Sequence, residues 1–415
     1  MFASFSRLDL GITLGPQRPS HVKAILSGPF PIFVEYTGIG IRCFTDSELR
    51  PMRIALKHPS HRDRVREISF EGICANFNKL FEVTNFPFPV LESLVLNFGF
   101  DFKLKLPDTF LRGPKLSNLH LRSLKFGNAL LASVSGFLSS ATALTDLCLE
   151  IDTVFGPSPE TSLLACLQGM HCLRSLNLSI TESNSSFGSL SQPSTPEDIV
   201  PLSNLTCFRY VGHPVFLSAV LAGFSAPSLR DVDFSFSESI LSPIVHLPRF
   251  ITEIEEQYNS ARVHIPNNST PRNSISFSLL THSESTGHCE PSFKLTSPGI
   301  CLTPIMQMSS ALSTRLSTIG ELRVIFDRRL ATASDTPQWL RIFQHFPSVR
   351  ALRLEGTRCL YTACALHQGH EEPNGLVLLP ELEEIQLGKD FGSGFLPFLS
   401  ARQQAGRPVK VSFEQ

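Results

Sequence analysis

The chain has 415 residues, 42% of them hydrophobic and 18% charged, so it can bury a large core. Its 36 Lys and Arg residues nearly balance its 37 Asp and Glu residues, which leaves a formal net charge of -1. Because nucleic acids and anionic membranes are attracted by an excess of positive charge, the composition argues against both as partners.

The first residues are predicted to form a strand without a preceding cap. Residues 8–14 alternate apolar and polar side chains, the pattern of a half-buried strand, and residues 21–26 follow as a short predicted helix. A terminal repeat normally needs a polar cap over its open end. The lack of one favours a chain that continues upstream, here or in its relatives.

The sequence predicts a soluble protein of the cytoplasm or nucleus. The N-terminus lacks the apolar core and small-residue cleavage site of a secretory signal. No run approaches the roughly 18 apolar residues of a membrane span. The 10 cysteines are scattered along the chain, which is typical of thiols in a reducing compartment.

One pattern, Pro-x-Leu-x-x-Leu-x-Leu, recurs along the chain. It occupies residues 89–96 and 114–121, and related copies begin at Pro227, Pro347 and Pro380. Its middle apolar residues are spaced 25 to 29 residues apart where the repeat is most regular, at Ile68, Leu94, Leu119, Leu147 and Leu176. Steps of this size fit one strand and one helix per repeat, in the range of leucine-rich repeats.

The predicted fold is therefore an α/β leucine-rich-repeat solenoid (horseshoe), made of irregular strand–helix units with a parallel sheet on the concave face. It is predicted to cover residues 1–415 as one array, with clear units at about 60–240 and 315–390. Apolar residues at helical spacing predict connecting helices. These helices are expected at 129–138, 162–168, 215–223, 247–256 and 395–404.

The middle of the chain departs from the repeat. Residues 181–197 and 266–300 are rich in Ser, Pro and Asn and are predicted to be mobile loops, the second around a strand at 274–279. A further strand is predicted at 261–265. The spacing of 59 residues from Val263 to Leu322 leaves room for two units whose leucine pattern has decayed.

Motifs that carry chemistry are missing from the sequence. It contains no phosphate-binding loop, no G-x-S-x-G elbow, no H-E-x-x-H pair and no kinase signature. Cys359, Cys364, His367 and His370 are all acceptable zinc ligands, but their spacing departs from the usual pairs and they lie in a repeat connector. A zinc site and an ordinary connector both stay open, with the connector favoured. The sequence thus predicts no metal site, no cofactor and no catalytic residue.

Function is expected on the concave strand face, because the residues beside each middle leucine point there. A protein-recognition surface is favoured over a solvated face that binds nothing, with arginines as the strongest contributors. The candidate binding residues are Asn118, His120, Asp146, Arg209, Asp231, Asp233, Glu321, Arg323, Arg353 and Glu384.

The irregular repeat units, the stretch from His61 to Phe70 and the Leu-Pro-Arg-Phe-Ile segment at 247–251 resemble the repeat half of F-box leucine-rich-repeat proteins of mushroom-forming fungi. The resemblance implies that the repeats hold a substrate protein. In that family an N-terminal F-box docks on a Skp1-type adaptor of a cullin-based ubiquitin ligase. No F-box is found in this sequence, so such an adaptor is an expected partner only if an F-box exists upstream.

The leading hypothesis is a non-enzymatic protein-interaction solenoid, the substrate-recognition part of an F-box-type ubiquitin-ligase receptor that lacks its F-box. Its expected partner is a protein ligand on the concave face, without nucleic acid or membrane. The alternative is a stand-alone leucine-rich-repeat scaffold unrelated to ubiquitin.

Overall fold

The structure is a computed structural model that describes most of the chain in separate segments. The described residues are 7–9, 31–37, 58–72, 88–98, 116–127, 138, 141–154, 159–182, 199–238, 244–254, 258–265, 274–282, 289–298, 302–326, 336–356, 362–363, 365–367, 378–388 and 394–413.

Strands outnumber helices in these segments. The strands are β1 (Arg7–Asp9), β2 (Ile32–Thr37), β3 (Val65–Gly72), β4 (Ser93–Phe98), β5 (Asn118–Gly127), β6 (Asp146–Val154), β7 (Ser175–Glu182), β8 (Val200–Pro201), β9 (Cys207–Gly212), β10 (Phe224–Ser225), β11 (Asp231–Phe236), β12 (Ser260–Ile265), β13 (Ser274–His282), β14 (Cys289–Pro298), β15 (Glu321–Phe326), β16 (Ala351–Gly356), β17 (Glu384–Leu387) and β18 (Lys410–Phe413). The helices are α1 (Pro59–Arg62), α2 (Pro159–Leu167), α3 (Pro214–Gly223), α4 (Leu247–Glu253), α5 (Thr303–Ala311), α6 (Ser313–Leu316), α7 (Thr336–Phe343) and α8 (Leu396–Gln404).

The chain divides into two compact units, and both are α/β with a mostly parallel sheet. Unit 1 comprises Met1–Phe208 and Ala222–Ser228, and unit 2 comprises Arg209–Leu221 and Leu229–Gln415. Whether these units form the single array expected from the sequence stays a prediction.

In unit 1 the strands follow one another in chain order, from β1 to β7, and every neighbouring pair is parallel. The middle residues of the repeat lie opposite one another, so that Leu94 pairs with Ile68 on one side and Leu119 on the other. The same row continues through Leu147 to Leu176. Equivalent positions of successive repeats are therefore paired in this sheet, so the spacing of the sequence pattern determines the strand register.

This register exists because each strand buries one face. Side chains alternate along a strand, so the residues at i and i+2 point to the same side. Leu94 and Leu96 are fully buried, whereas Ser93 and Val95, which alternate with them, are only half-buried. A slip of one residue would expose every leucine of the strand, and the pattern therefore specifies the register strongly.

A repeated turn precedes the strands. The first leucine of the pattern donates its backbone N–H to the carbonyl three residues earlier, as Leu91 does to Phe88 and Leu382 does to Leu379. The next position then donates to its counterpart one repeat earlier, as Arg174 N does to Thr145 O at 2.7 Å. In unit 1 hydroxyl groups reinforce this ladder, since Thr145 Oγ1 donates to Ser117 O at 2.9 Å. These bonds satisfy backbone groups that the sheet itself leaves unpaired.

Unit 2 does not follow chain order throughout. Its strands are arranged as β9-β11-β14-β13-β12-β15-β16-β17-β18. The last four are parallel and sequential, in agreement with the predicted repeats, and Leu322, Leu352, Ile385 and Val411 form their inward row. The strand predicted at 261–265 is confirmed as β12, but it pairs directly with β15. No further unit separates these two strands in the sheet, which corrects the expectation of two decayed repeats there.

The stretch 266–300, predicted to be a loop around one strand, instead contains two long strands. The expected strand at 274–279 is confirmed as part of β13, and β14 lies antiparallel to it from Ser274–Pro298 to His282–Cys289. β13 is also antiparallel to β12, so the sheet of unit 2 is not wholly parallel as predicted. Alternating apolar residues explain the difference, because Ile275, Phe277, Phe293 and Leu295 are all buried.

Arginines link helices of unit 2 to neighbouring helices by hydrogen bonds to backbone carbonyls. Arg315 on α6 donates to the carbonyls of Ile251 at 3.3 Å, Thr252 at 3.1 Å and Ile254. These carbonyls lie at the C-terminal end of α4, which carries the negative end of the helix dipole. Arg249 on α4 donates in turn to Leu221 O at 2.6 Å, near the end of α3.

Several predicted elements can be compared with the structure. The helices expected at 162–168, 215–223, 247–256 and 395–404 are confirmed as α2, α3, α4 and α8, whereas β2, α5 and α7 were not predicted. The helices predicted at 21–26 and 129–138, and the loop at 181–197 after Glu182, lie outside the described residues apart from Leu138. Among the helices that the structure describes, none is long and apolar enough to cross a membrane.

Candidate functional site

The outward face of the unit 2 sheet, opposite its buried apolar rows, carries an unbroken line of polar residues. Register places Asp233, Lys294, Ser278, Arg262, Arg323, Arg353, Gln386 and Ser412 side by side on consecutive strands from β11 to β18. Neighbouring strands are about 4.8 Å apart, so adjacent members can interact directly. We call this line the outward row.

Two arginines of the row are held by carboxylates on neighbouring strands. Arg353 Nε lies 2.8 Å from Glu321 Oε1, and Arg323 NH2 donates to Glu355 Oε2 at 2.8 Å. The two pairs cross β15 and β16 in opposite directions, because Glu321 precedes Arg323 and Glu355 follows Arg353. Arg323 and Arg353 lie opposite each other in register, and each is compensated by a carboxylate on the other's strand.

The β9–β11 end of the face is also charged and paired. Arg209 NH2 lies 3.3 Å from Asp231 Oδ2, and Lys294 Nζ lies 3.9 Å from Asp233 Oδ2. Burial raises the pKa of Asp233 above its ordinary value, although Lys294 and Arg209 oppose this shift. Asp233 Oδ1 is shielded from solvent and accepts no hydrogen bond within the described segments.

Arg262 differs from the other cations of the row. It is half-buried on β12 between Ser278 and Arg323. Among the described residues it makes no ion pair, and its Nε is shielded from solvent without a hydrogen-bond acceptor. Glu321 on β15 and Glu355 on β16 are engaged by Arg353 and Arg323.

Among the described side chains, the outward face of unit 1 is less basic than that of unit 2. One of its rows runs from Glu67 through Ser93, Asn118 and Asp146 to Ser175. Asp146 accepts a hydrogen bond from Thr145 Oγ1 at 2.7 Å. The side chains of Asn118 and His120 lie outside the described part of the structure, so only their register positions on β5 are known.

The structure thus places the predicted candidates in two groups. Asp146 lies on unit 1, in the same row as the backbone position of Asn118. Arg209, Asp231, Asp233, Glu321, Arg323, Arg353 and Glu384 lie on the outward face of unit 2. Glu384 lies opposite Ala351, which in turn lies opposite Glu321. Glu384 Oε1 accepts a hydrogen bond from Ser412 at 3.0 Å.

The residues of this face that the sequence analysis missed include Arg262, Glu355 and Lys294. Arg262 flanks Val263 within a strand that was predicted, so the alternation rule alone could have found it. Glu355 lies two positions after Arg353 and is reached by the same rule. Lys294 could not be found in this way, because β14 was not predicted as a strand.

Metal and nucleophile chemistry finds little support in the described segments. They contain no group of three or more His, Cys, Asp or Glu residues that could hold a metal ion. Of the four suggested zinc ligands only His367 is described, and Cys359, Cys364 and His370 lie outside those segments. Burial raises the pKa of the Cys166 thiol to about 12, so this cysteine is not a thiolate nucleophile.

Comparison of the chain with models of known protein families found no match, and comparison with curated proteins found no match either.

Proposed function

We propose that the chain is a non-enzymatic protein-interaction solenoid of the leucine-rich-repeat type, and that it binds a partner protein on the outward face of its sheet. The observation that carries the proposal is the match between the sequence repeat and the strand register in unit 1. Each middle apolar residue pairs with the next, and β4, β6 and β7 are each entered through the same hydrogen-bonded turn. Such stacking leaves a broad strand face for recognition.

The chemistry of this face suits a protein partner. Its arginines have the planar donor fork that recognises carboxylates, and arginine is enriched among residues that dominate binding energy. Most of its charges are already paired within the sheet, so they are held in position before a partner arrives. Preorganisation of this kind lowers the entropic cost of binding. We propose neither a cofactor nor a metal, and neither nucleic acid nor membrane as a partner.

The more specific proposal is substrate recognition in an F-box-type ubiquitin ligase, and its support is the resemblance of the repeats to that family. A Skp1-type adaptor would join the complex only through an F-box upstream. The competing proposal is a stand-alone leucine-rich-repeat scaffold unrelated to ubiquitin. The two differ in whether the adaptor accompanies the protein.

Affinity purification of the full-length protein from its native source tests both levels of the proposal. We expect wild-type protein and the helix-side variant Arg341→Glu to recover the same partner and a ligase adaptor. The outward-face variant Arg353→Glu should lose the partner and keep the adaptor. Recovery of the partner without any adaptor would favour the stand-alone scaffold. Equal recovery by both variants would contradict an outward-face binding site on unit 2.

A further inference from the structure

Among the side chains that the structure describes, the outward face of unit 2 has one more positive charge than its carboxylates neutralise. Arg209, Lys294, Arg323 and Arg353 each have a carboxylate neighbour, and Lys410 Nζ lies 4.0 Å from Glu384 Oε1. Only Arg262, among the described cations of this face, has none. The surplus charge therefore sits at one position rather than being spread over the surface.

The position of Arg262 makes this surplus unfavourable for the isolated protein. Arg262 and Arg323 are direct partners on neighbouring parallel strands, and like charges in that relation destabilise a sheet. A half-buried guanidinium nitrogen without an acceptor also keeps its desolvation cost. A ligand carboxylate beside the guanidinium would offset the repulsion between Arg262 and Arg323.

The surroundings of Arg262 supply further hydrogen-bonding groups. Ser278 lies beside it on β13, and Ser276 and Thr296 lie in register one row away on β13 and β14. Thr296 Oγ1 is shielded from solvent and has no hydrogen-bond partner among the described residues. A guanidinium beside Ser278 is a set of donors suited to an oxyanion, and the unpartnered Thr296 hydroxyl lies two strands away in the next row.

We infer that Arg262 binds a carboxylate side chain, Asp or Glu, of an extended acidic segment of the partner protein. This inference rests on the proposed function, since it names the chemistry of the partner on the same face. A carboxylate carries one negative charge and matches the single surplus positive charge. A phosphate dianion would leave a second charge close to Asp233, Glu321 and Glu355. The guanidinium fork of Arg262 accommodates both carboxylate oxygens, and the hydroxyl groups of Ser278 and Thr296 lie on its β13 side.

A labelled peptide of alternating Ser and Glu residues is the probe for this inference, with fluorescence anisotropy on the full chain at low salt as the readout. We expect binding to weaken roughly tenfold to a hundredfold in Arg262→Gln, since a hydrogen bond to a charged group is lost. Arg262→Lys keeps the charge but not the fork, and it should retain part of the affinity. Arg341→Gln, the same change on the exposed side of α7, should bind like wild type.

Four results would overturn the inference. The first two are equal binding by wild type and Arg262→Gln, and equal binding of a Ser–Gln peptide. The others are much tighter binding of a phosphoserine peptide than of the Ser–Glu peptide, and no binding of the Ser–Glu peptide. Thermal unfolding of each variant shows whether a loss of peptide binding reflects misfolding. If Arg262→Gln is misfolded, binding by Arg262→Lys tests the inference instead. Cross-linking of a partner from Asn177 or Gln386 does not depend on Arg262, so the proposed function can survive this failure.

Discussion

Arg353 on β16 reaches back to Glu321 on β15, while Arg323 on β15 reaches forward to Glu355 on β16. The two ion pairs therefore cross the same pair of strands. Each cation lies beside the other in register but binds a carboxylate outside the row. This crossing allows two arginines to remain adjacent on the outward face without facing each other unpaired.

A double-mutant cycle on Arg353→Gln and Glu321→Gln should give a coupling of about 0.2–1 kcal/mol in the free energy of unfolding. The value is small because the side chains are 45% and 35% exposed, so solvent screens the pair. Chemical denaturation at low and high salt measures it. The coupling should shrink at about 1 M salt. A coupling that does not respond to salt would contradict an ionic origin.

Gly356→Ala should lower the free energy of unfolding by well over 1 kcal/mol. Gly356 has a φ of +93°, and a Cβ there would lie 1.8 Å from Phe326 O, a backbone atom on β15. Gly406→Ala is the matched control, because Gly406 has a φ of +73° but nothing within 4 Å of its Cβ position. It should cost only about 1 kcal/mol, from the backbone conformation alone. Equal losses in both variants would mean that the contact with Phe326 is irrelevant.

The stability of the protein should fall as the pH drops from 7 to 5. Burial lowers the pKa of His213, His246 and His345 below the ordinary value of 6.5. The unfolded chain therefore binds protons before the folded chain does. The contribution of these histidines to stability is fully present above pH 6.5, and it is lost as the pH falls from 6.5 towards their pKa values in the folded protein. For His213, protonation would also place a hydrogen on Nδ1, which accepts the Val215 N–H at 3.2 Å.

His345→Gln should make this pH dependence shallower, since burial is the cause of the His345 shift. Urea denaturation at several pH values measures the slope. His171→Gln, at an exposed position of unit 1, is the control and should leave the slope unchanged. An unchanged slope in His345→Gln would contradict the burial of this ring.

The alternation of inward and outward residues can be tested on β4. Leu94→Ala should cost about 2–5 kcal/mol, because Leu94 is fully buried among the middle residues of its neighbours. Val95→Ala, the next residue, points to the outward face and should cost less than about 1 kcal/mol. Comparable losses of stability in the two variants would indicate that the inward and outward positions on β4 are wrongly assigned.

Local patterns predicted much of unit 1 and of the β15–β18 region. The spaced leucines determine which face of each strand is buried, and this information lies within a few neighbouring residues. The order β11-β14-β13-β12-β15 could not be predicted in the same way. Val263 on β12 and Val324 on β15 lie opposite each other although they are far apart in the sequence. β14, which lies between β11 and β13 in the sheet, lacks the repeat pattern.

The residues of the candidate site also divide into those that local patterns predict and those that they do not. Alternation alone identified Arg323 and Arg353 as outward residues, and the structure places them side by side. That Arg262 adjoins them follows only from the β12–β15 pairing, and its lack of a carboxylate follows from where Glu321 and Glu355 point. Such relations depend on contacts across distant parts of the chain, which periodicity does not record.

Site-specific photo-cross-linking tests the recognition surface most directly. The photoreactive residue would replace Asn177 or Gln386 on the outward strand face, and Gln168 or Gln344 at exposed positions beside α2 and α7 as matched controls. We predict that each outward position captures a partner protein that the control position on the same unit, Gln168 for Asn177 and Gln344 for Gln386, does not capture. Capture from the control positions with equal efficiency, or from none of the four, would contradict recognition on the strand face.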